Sequence, residues 1–122
     1  MRIELVDPPR AFQVGSVELK DCGAIDLEPG EQLTFVTPAG GEYDVARTTW
    51  GFYGTPSVNG RLPAFGLRTA LARNDEAKYF VLIVERGCEE DFHRYCERER
   101  ISVVAWLDDD RTLAALDAGA RR

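Results

Sequence analysis

The sequence predicts a single α+β domain over residues 1–122, with an N-terminal antiparallel, curved or barrel-like sheet followed by a C-terminal strand-helix-strand-helix unit. Three observations lead there. Through Arg73, short runs of alternating apolar and polar residues are separated by Gly- and Pro-bearing turns, the pattern of successive hairpins. From Tyr79 onward, two strongly apolar runs are each followed by a segment of helical periodicity. A hydrophobic content of 44% in 122 residues fills one core and leaves little for a second.

Ile3 to Val6 reads as a short edge strand stopped at Asp7-Pro8-Pro9, because proline lacks a donor and restricts the residue before it. Between Phe12 and Leu19 the apolar beat slips by one residue at Gly15-Ser16, which predicts a turn or a bulge. Ile25 and Leu27 make a minimal strand between Asp21-Cys22-Gly23 and Glu28-Pro29-Gly30-Glu31, both turn signals. Gln32 to Thr37 and Tyr43 to Arg47 form a hairpin about Pro38-Ala39-Gly40-Gly41. A second hairpin joins Phe65–Arg73 to Lys78–Glu85 through Asn74-Asp75-Glu76-Ala77.

Tyr79 to Val84 is apolar on both faces, which predicts a central strand covered on both sides. Cys88 to Arg98 reads as a helix, with acids in its first turn, arginines in its last, and Cys88, Phe92, Tyr95 and Cys96 on one face. Ile101 to Leu107 is the second central strand, parallel to the first if the two share a sheet. Asp110 caps a last helix from Arg111 to Ala118 that stops at Gly119. Leu33, Phe35, Phe65, Leu67, Leu71, Phe92, Leu113 and Leu116 are the expected core.

A formal net charge of -6 argues against general binding to nucleic acid or to an anionic membrane surface, since both need a broad excess of Lys and Arg. The N-terminal run, with Glu4 and Pro8-Pro9 interrupting it, does not read as a secretory leader, and no apolar run is long enough to span a bilayer. Three cysteines without C-x-x-C spacing suit reduced thiols, so a cytoplasmic location is expected.

The strongest local signal is an absence. From Val45 to Asn74 there is no Asp or Glu, although 21 acids in 122 residues would put about five in such a window, and the window carries Arg47, Arg61, Arg68 and Arg73. Inside it runs Trp50-Gly51-Phe52-Tyr53-Gly54-Thr55-Pro56-Ser57-Val58-Asn59-Gly60-Arg61. Arginine's planar fork recognises carboxylate and phosphate, and aromatic rings supply stacking area, so Trp50, Tyr53, Ser57, Asn59, Arg61 and Arg68 are the candidate binding residues for a protein partner or a small anionic ligand. The alternative is that the arginines pair with acids from neighbouring strands while Trp50, Phe52 and Tyr53 fill the core. Asn59-Gly60 also reads as a plain turn pair.

The glycines match neither G-x-x-x-x-G-K-[ST] nor G-x-G-x-x-G. Cys88, His93 and Cys96 invite a metal or nucleophile reading, but the two cysteines lie about 12 Å apart along a helix, so no metal and no cofactor is expected. Glu89-Glu90-Asp91 and Asp108-Asp109-Asp110 sit at helix starts, where capping and the helix dipole account for them. The leading expectation is a non-enzymatic binding or accessory module, with self-association through an edge strand as one form of partnership. Two alternatives stand beside it: a small enzyme acting on a carbohydrate or nucleotide-sugar, with Arg61 as anion clamp and Tyr53 or His93 moving a proton, and a structural component of a larger assembly.

Overall fold

A computed structural model describes residues 1–121. Among them the chain forms three small antiparallel sheets and three helices, a mixed α+β fold. It divides into two compact units, one of Met1–Leu33 with Asp44–Thr55, the other of Thr34–Tyr43 with Pro56 onward.

In the first unit, Arg2–Val14 (β1) pairs antiparallel with Val17–Asp26 (β2). Pro8 and Pro9 do not end β1, as the sequence suggests; they leave a register irregularity between Leu5 and Arg10, and pairing resumes beyond it. Gly15-Ser16 is the turn, joining Val14 to Val17. Gly23 must be glycine: at φ 139° a Cβ would stand 2.1 Å from the Glu4 carbonyl oxygen. Leu27 is the buried apolar residue of this unit.

Gln32–Val36 (β3), Glu42–Thr48 (β4) and Gly51–Gly54 (β5) form a sheet of order β3-β4-β5. The β3-β4 turn closes with Thr37 N donating to the Gly41 carbonyl at 3.0 Å and Gly40 N to the Thr37 carbonyl at 3.1 Å. The hairpin between β4 and β5 is absent from the sequence reading, which takes residues 51–54 as turn-rich loop.

The second unit carries the main core. Arg61–Ala64 (α1) is a single helical turn leading into Leu67–Arg73 (β6), which pairs with Tyr79–Glu85 (β7) on one side and Ser102–Trp106 (β8) on the other. Glu89–Glu99 (α2) connects β7 to β8, and Asp110–Ala120 (α3) follows. The strand-helix-strand-helix order is therefore as the sequence predicts, but the centre of the sheet is not. Its order is β7-β6-β8, so both runs expected at the centre, Tyr79–Val84 and Ile101–Leu107, lie on edges, and Tyr79, Phe80 and Val81 are exposed.

Chain connectivity explains the difference. The tight β6-β7 hairpin fills one side of β6, and β8 takes the other, so β7 and β8 share a direction with antiparallel β6 between them. Ala70 and Ala72 of β6 are fully buried, with Leu67, Val84, Cys96 and Leu62 also in the core. Phe35 and Leu116, expected inside, are exposed at 58% and 49%. Helix α3 is capped by Asp109 rather than Asp110, its carboxylate accepting from Arg111 N at 3.0 Å, and Gly119 lies within it. No helix is long and apolar enough to cross a membrane among the described residues.

Candidate functional site

The acid-free window is folded into two different structures. Its first part is the β4-β5 hairpin, turned by Thr49-Trp50, with Thr48 opposite Gly51, Arg47 opposite Phe52 and Ala46 opposite Tyr53. Strand alternation puts Phe52 and Tyr53 on opposite faces, so neither can bury without burying one whole side of a terminal strand. They are not buried: Trp50, Phe52 and Tyr53 are 73%, 67% and 50% exposed, which rules out the aromatic-core alternative for this segment.

Their neighbours hold them in place. The Arg47 guanidinium lies 5.6 Å from the Phe52 ring centre and donates to the Thr48 carbonyl and, at 3.2 Å, to the Gly51 carbonyl. The Thr48 hydroxyl donates to the same Gly51 oxygen at 2.9 Å. On the other face Trp50 leans on Tyr53, ring centres 6.5 Å apart and planes tilted by 54°. Two exposed ring groups are thus clamped by a two-residue turn and an internally hydrogen-bonded arginine, which limits the entropy they lose on binding. β5 ends the sheet, so no further strand pairs with its outer edge among the described residues.

The second part of the window turns inward on itself. Ser57 organises the entry to α1: its hydroxyl accepts from Arg61 N at 3.1 Å and its carbonyl from Leu62 N at 3.1 Å. A Cβ at Gly60 would come within 2.4 Å of the Ser57 hydroxyl oxygen, so any larger residue there displaces the hydroxyl that accepts from Arg61 N. Asn59 heads no hairpin; its amide donates to an Asp110 carboxylate oxygen at 2.9 Å, tying the loop to the start of α3. The Arg61 guanidinium lies 5.8 Å from the Phe65 ring centre.

Arg68 is the most committed residue of the set. Its Nε and Nη2 donate to the two Asp108 carboxylate oxygens at 2.8 and 3.4 Å, and Glu89 stands 3.9 Å away. The guanidinium also stacks 4.0 Å from the Trp106 ring centre, and Trp106 meets Phe92 edge-on at 5.7 Å. The Asp108 hydrogen bond, then the charges of Asp108 and Glu89, raise the Arg68 pKa further. Glu89 is held below the ordinary carboxylate range by its own backbone amide and that of Gly87, with Arg68 and Arg86 adding to the effect.

Of the six candidate residues, the structure brings Trp50 to Tyr53 and Ser57 to Arg61. Trp50 and Tyr53 belong to the first unit, Ser57, Asn59, Arg61 and Arg68 to the second. Arg47 and Phe52 complete the hairpin surface and are missing from the sequence-derived set. The signal that finds them is the strand register, which pairs them across the hairpin.

The chemistry read from the cysteines takes a definite form. Cys88 is exposed and Cys96 is buried, and burial pushes the Cys96 thiol pKa up, the direction opposite to an activated nucleophile. No group of three or more His, Cys, Asp or Glu side chains suits a metal ion among the described residues. A cleft of about 340 Å³ is lined by Gly40, Gly41, Phe65, Gly66, Glu85 and Arg86. No protein-family model matches the chain, and no curated protein or solved structure is significantly similar to it.

Proposed function

We propose that the protein is a non-enzymatic binding or accessory module that holds a protein partner through the Arg47–Tyr53 hairpin. One observation carries the reading: Trp50, Phe52 and Tyr53 are at least half exposed within four consecutive positions, braced by Arg47. Aromatic residues and arginine dominate the energetics of protein interfaces, and most of a soluble protein's large aromatics are otherwise covered. With no carboxylate between Val45 and Asn74, the hairpin suits a partner with an apolar depression rimmed by acids.

A protein fits better than a small anion. Arg68 and Asn59, which would have read a carboxylate or phosphate, are engaged with Asp108 and Asp110, so an anion would have to displace an internal carboxylate to reach them. The exposed rings, in contrast, need no rearrangement to be contacted.

The test is a benzophenone amino acid incorporated at position 50, photolysed in extract of the native host. The expected result is a discrete heterologous adduct that disappears when Phe52→Ala is added, with the melting temperature unchanged. Absence of any adduct, or one indifferent to Phe52→Ala, overturns the reading.

A further inference from the structure

Among the described residues β7 is an outer strand of its sheet, and from Tyr79 to Val84, with Glu85 as the strand's one charge at its end, its edge lacks the devices that normally keep such an edge from pairing. Tyr79-Phe80-Val81-Leu82-Ile83-Val84 carries no charge, proline or glycine, and its register with β6 runs without a bulge. Tyr79, Phe80 and Val81 are 59%, 44% and 64% exposed. The flanking hydrogen bonds say which backbone groups are open. Asn74 N donates to the Lys78 carbonyl at 3.0 Å and Arg86 N to the Gly66 carbonyl at 2.7 Å. Antiparallel alternation then directs the even-numbered residues of β7 toward β6, leaving the N–H and C=O groups of Tyr79, Val81 and Ile83 facing outward.

We propose that this edge pairs antiparallel with β7 of a second copy of the chain, about a twofold axis through Val81, to make one continuous six-stranded sheet. An axis normal to the sheet keeps each face on its own side, so residues of like parity must oppose one another. Two central registers satisfy this, and charge distinguishes them. Centring on Leu82 sets Lys78 against Arg86 of the second copy, two cations across the seam. Centring on Val81 sets Tyr79 against Ile83 of the second copy and Lys78 against its Val84, with no like charges opposed.

The Val81 register also has a place for Phe80. Leu82, Val84, Phe92 and Tyr95 line an open apolar groove of about 350 Å³ beside β7. Phe80, Leu82 and Val84 share one face of the strand, and in this register Phe80 of the second copy stands opposite Leu82, at that groove. The contact is one strand plus one ring from each copy, the small end of specific interfaces, so a Kd of about 10–100 µM is expected. This inference concerns a different surface from the aromatic hairpin and stands or falls separately.

Sedimentation equilibrium on the full chain tests it. The wild type is expected to reach twice the chain mass with rising concentration, and Val81→Lys, which places two cations on the axis at an already exposed position, raises Kd at least tenfold. Hydrogen exchange on the wild type needs no variant: the amides of Tyr79, Val81 and Ile83 should slow at least tenfold as the dimer forms. A wild type that stays monomeric at about 1 mM, a dimer indifferent to Val81→Lys, or outward amides whose exchange does not depend on concentration each overturns the proposal.

Discussion

One stretch without a carboxylate, Val45 to Asn74, ends in two opposite situations. In the β4-β5 hairpin, Arg47 bonds to backbone carbonyls of its own turn and the aromatic rings stay exposed. In Ser57–Arg73, Asn59 and Arg68 are met by Asp110 and Asp108, acids 51 and 40 residues away in sequence. A deficit of acids in sequence is therefore not a deficit in space. Within this stretch, exposed rings stand beside an arginine held by its own turn only in the hairpin.

The contrast can be broken by substitution, and the largest effect belongs to the inward half. Leu62 is 1% exposed, and Leu62→Ala should destabilise by about 3 kcal/mol, from lost transfer energy and the cavity left behind, read as a lowered urea midpoint. Arg68→Ala strips a bidentate partner from Asp108 and the cation from the Trp106 face, and about 2 kcal/mol should be lost in the same measurement. Arg68→Lys keeps the charge but not the fork or the stacking, and should recover less than half of that.

Thr69 sharpens the comparison from the other direction. Its hydroxyl is buried with no hydrogen-bond partner among the described residues, so Thr69→Val should stabilise by about 1 kcal/mol while keeping a β-branched side chain in the strand. Glu89 gives a pH signature. Its folded-state pKa lies below the ordinary value, so its contribution is complete above the usual carboxylate range and is lost as pH falls through the folded value. Glu89→Gln should accordingly lower stability near neutrality, where that contribution is complete, and converge on the parent at low pH, so that the acid limb of a stability-versus-pH curve is flatter. The smallest effect is expected in the outward half, where Trp50→Ala should move stability by no more than about 0.5 kcal/mol.

How much was legible in the sequence follows local against non-local information. The α+β class, the β3-β4 and β6-β7 hairpins, α2 and the β7-α2-β8-α3 order all follow from periodicity and turn chemistry, which act over a few residues. Which strand is central depended on β8 adding beside β6, a pairing some thirty residues apart that leaves no mark on the apolar pattern of either strand. The long β1 was hidden because proline reads as a stop, whereas here the pairing breaks and then resumes. At the candidate site, the sequence picked out Trp50 and Tyr53 from composition. It could not tell Arg47, held by its own turn, from Arg68, paired with Asp108, since that distinction rests on a contact across 40 residues.

The central claim is that the hairpin's aromatics are displayed for a partner and not needed for the fold. It is tested most directly by measuring melting temperature and position-50 photo-crosslinking together on the chain with and without Phe52→Ala. The account predicts a melting temperature within about 2 °C of the parent and loss of at least nine-tenths of the heterologous adduct. A large drop in melting temperature with the adduct retained would contradict it, making Phe52 a structural ring.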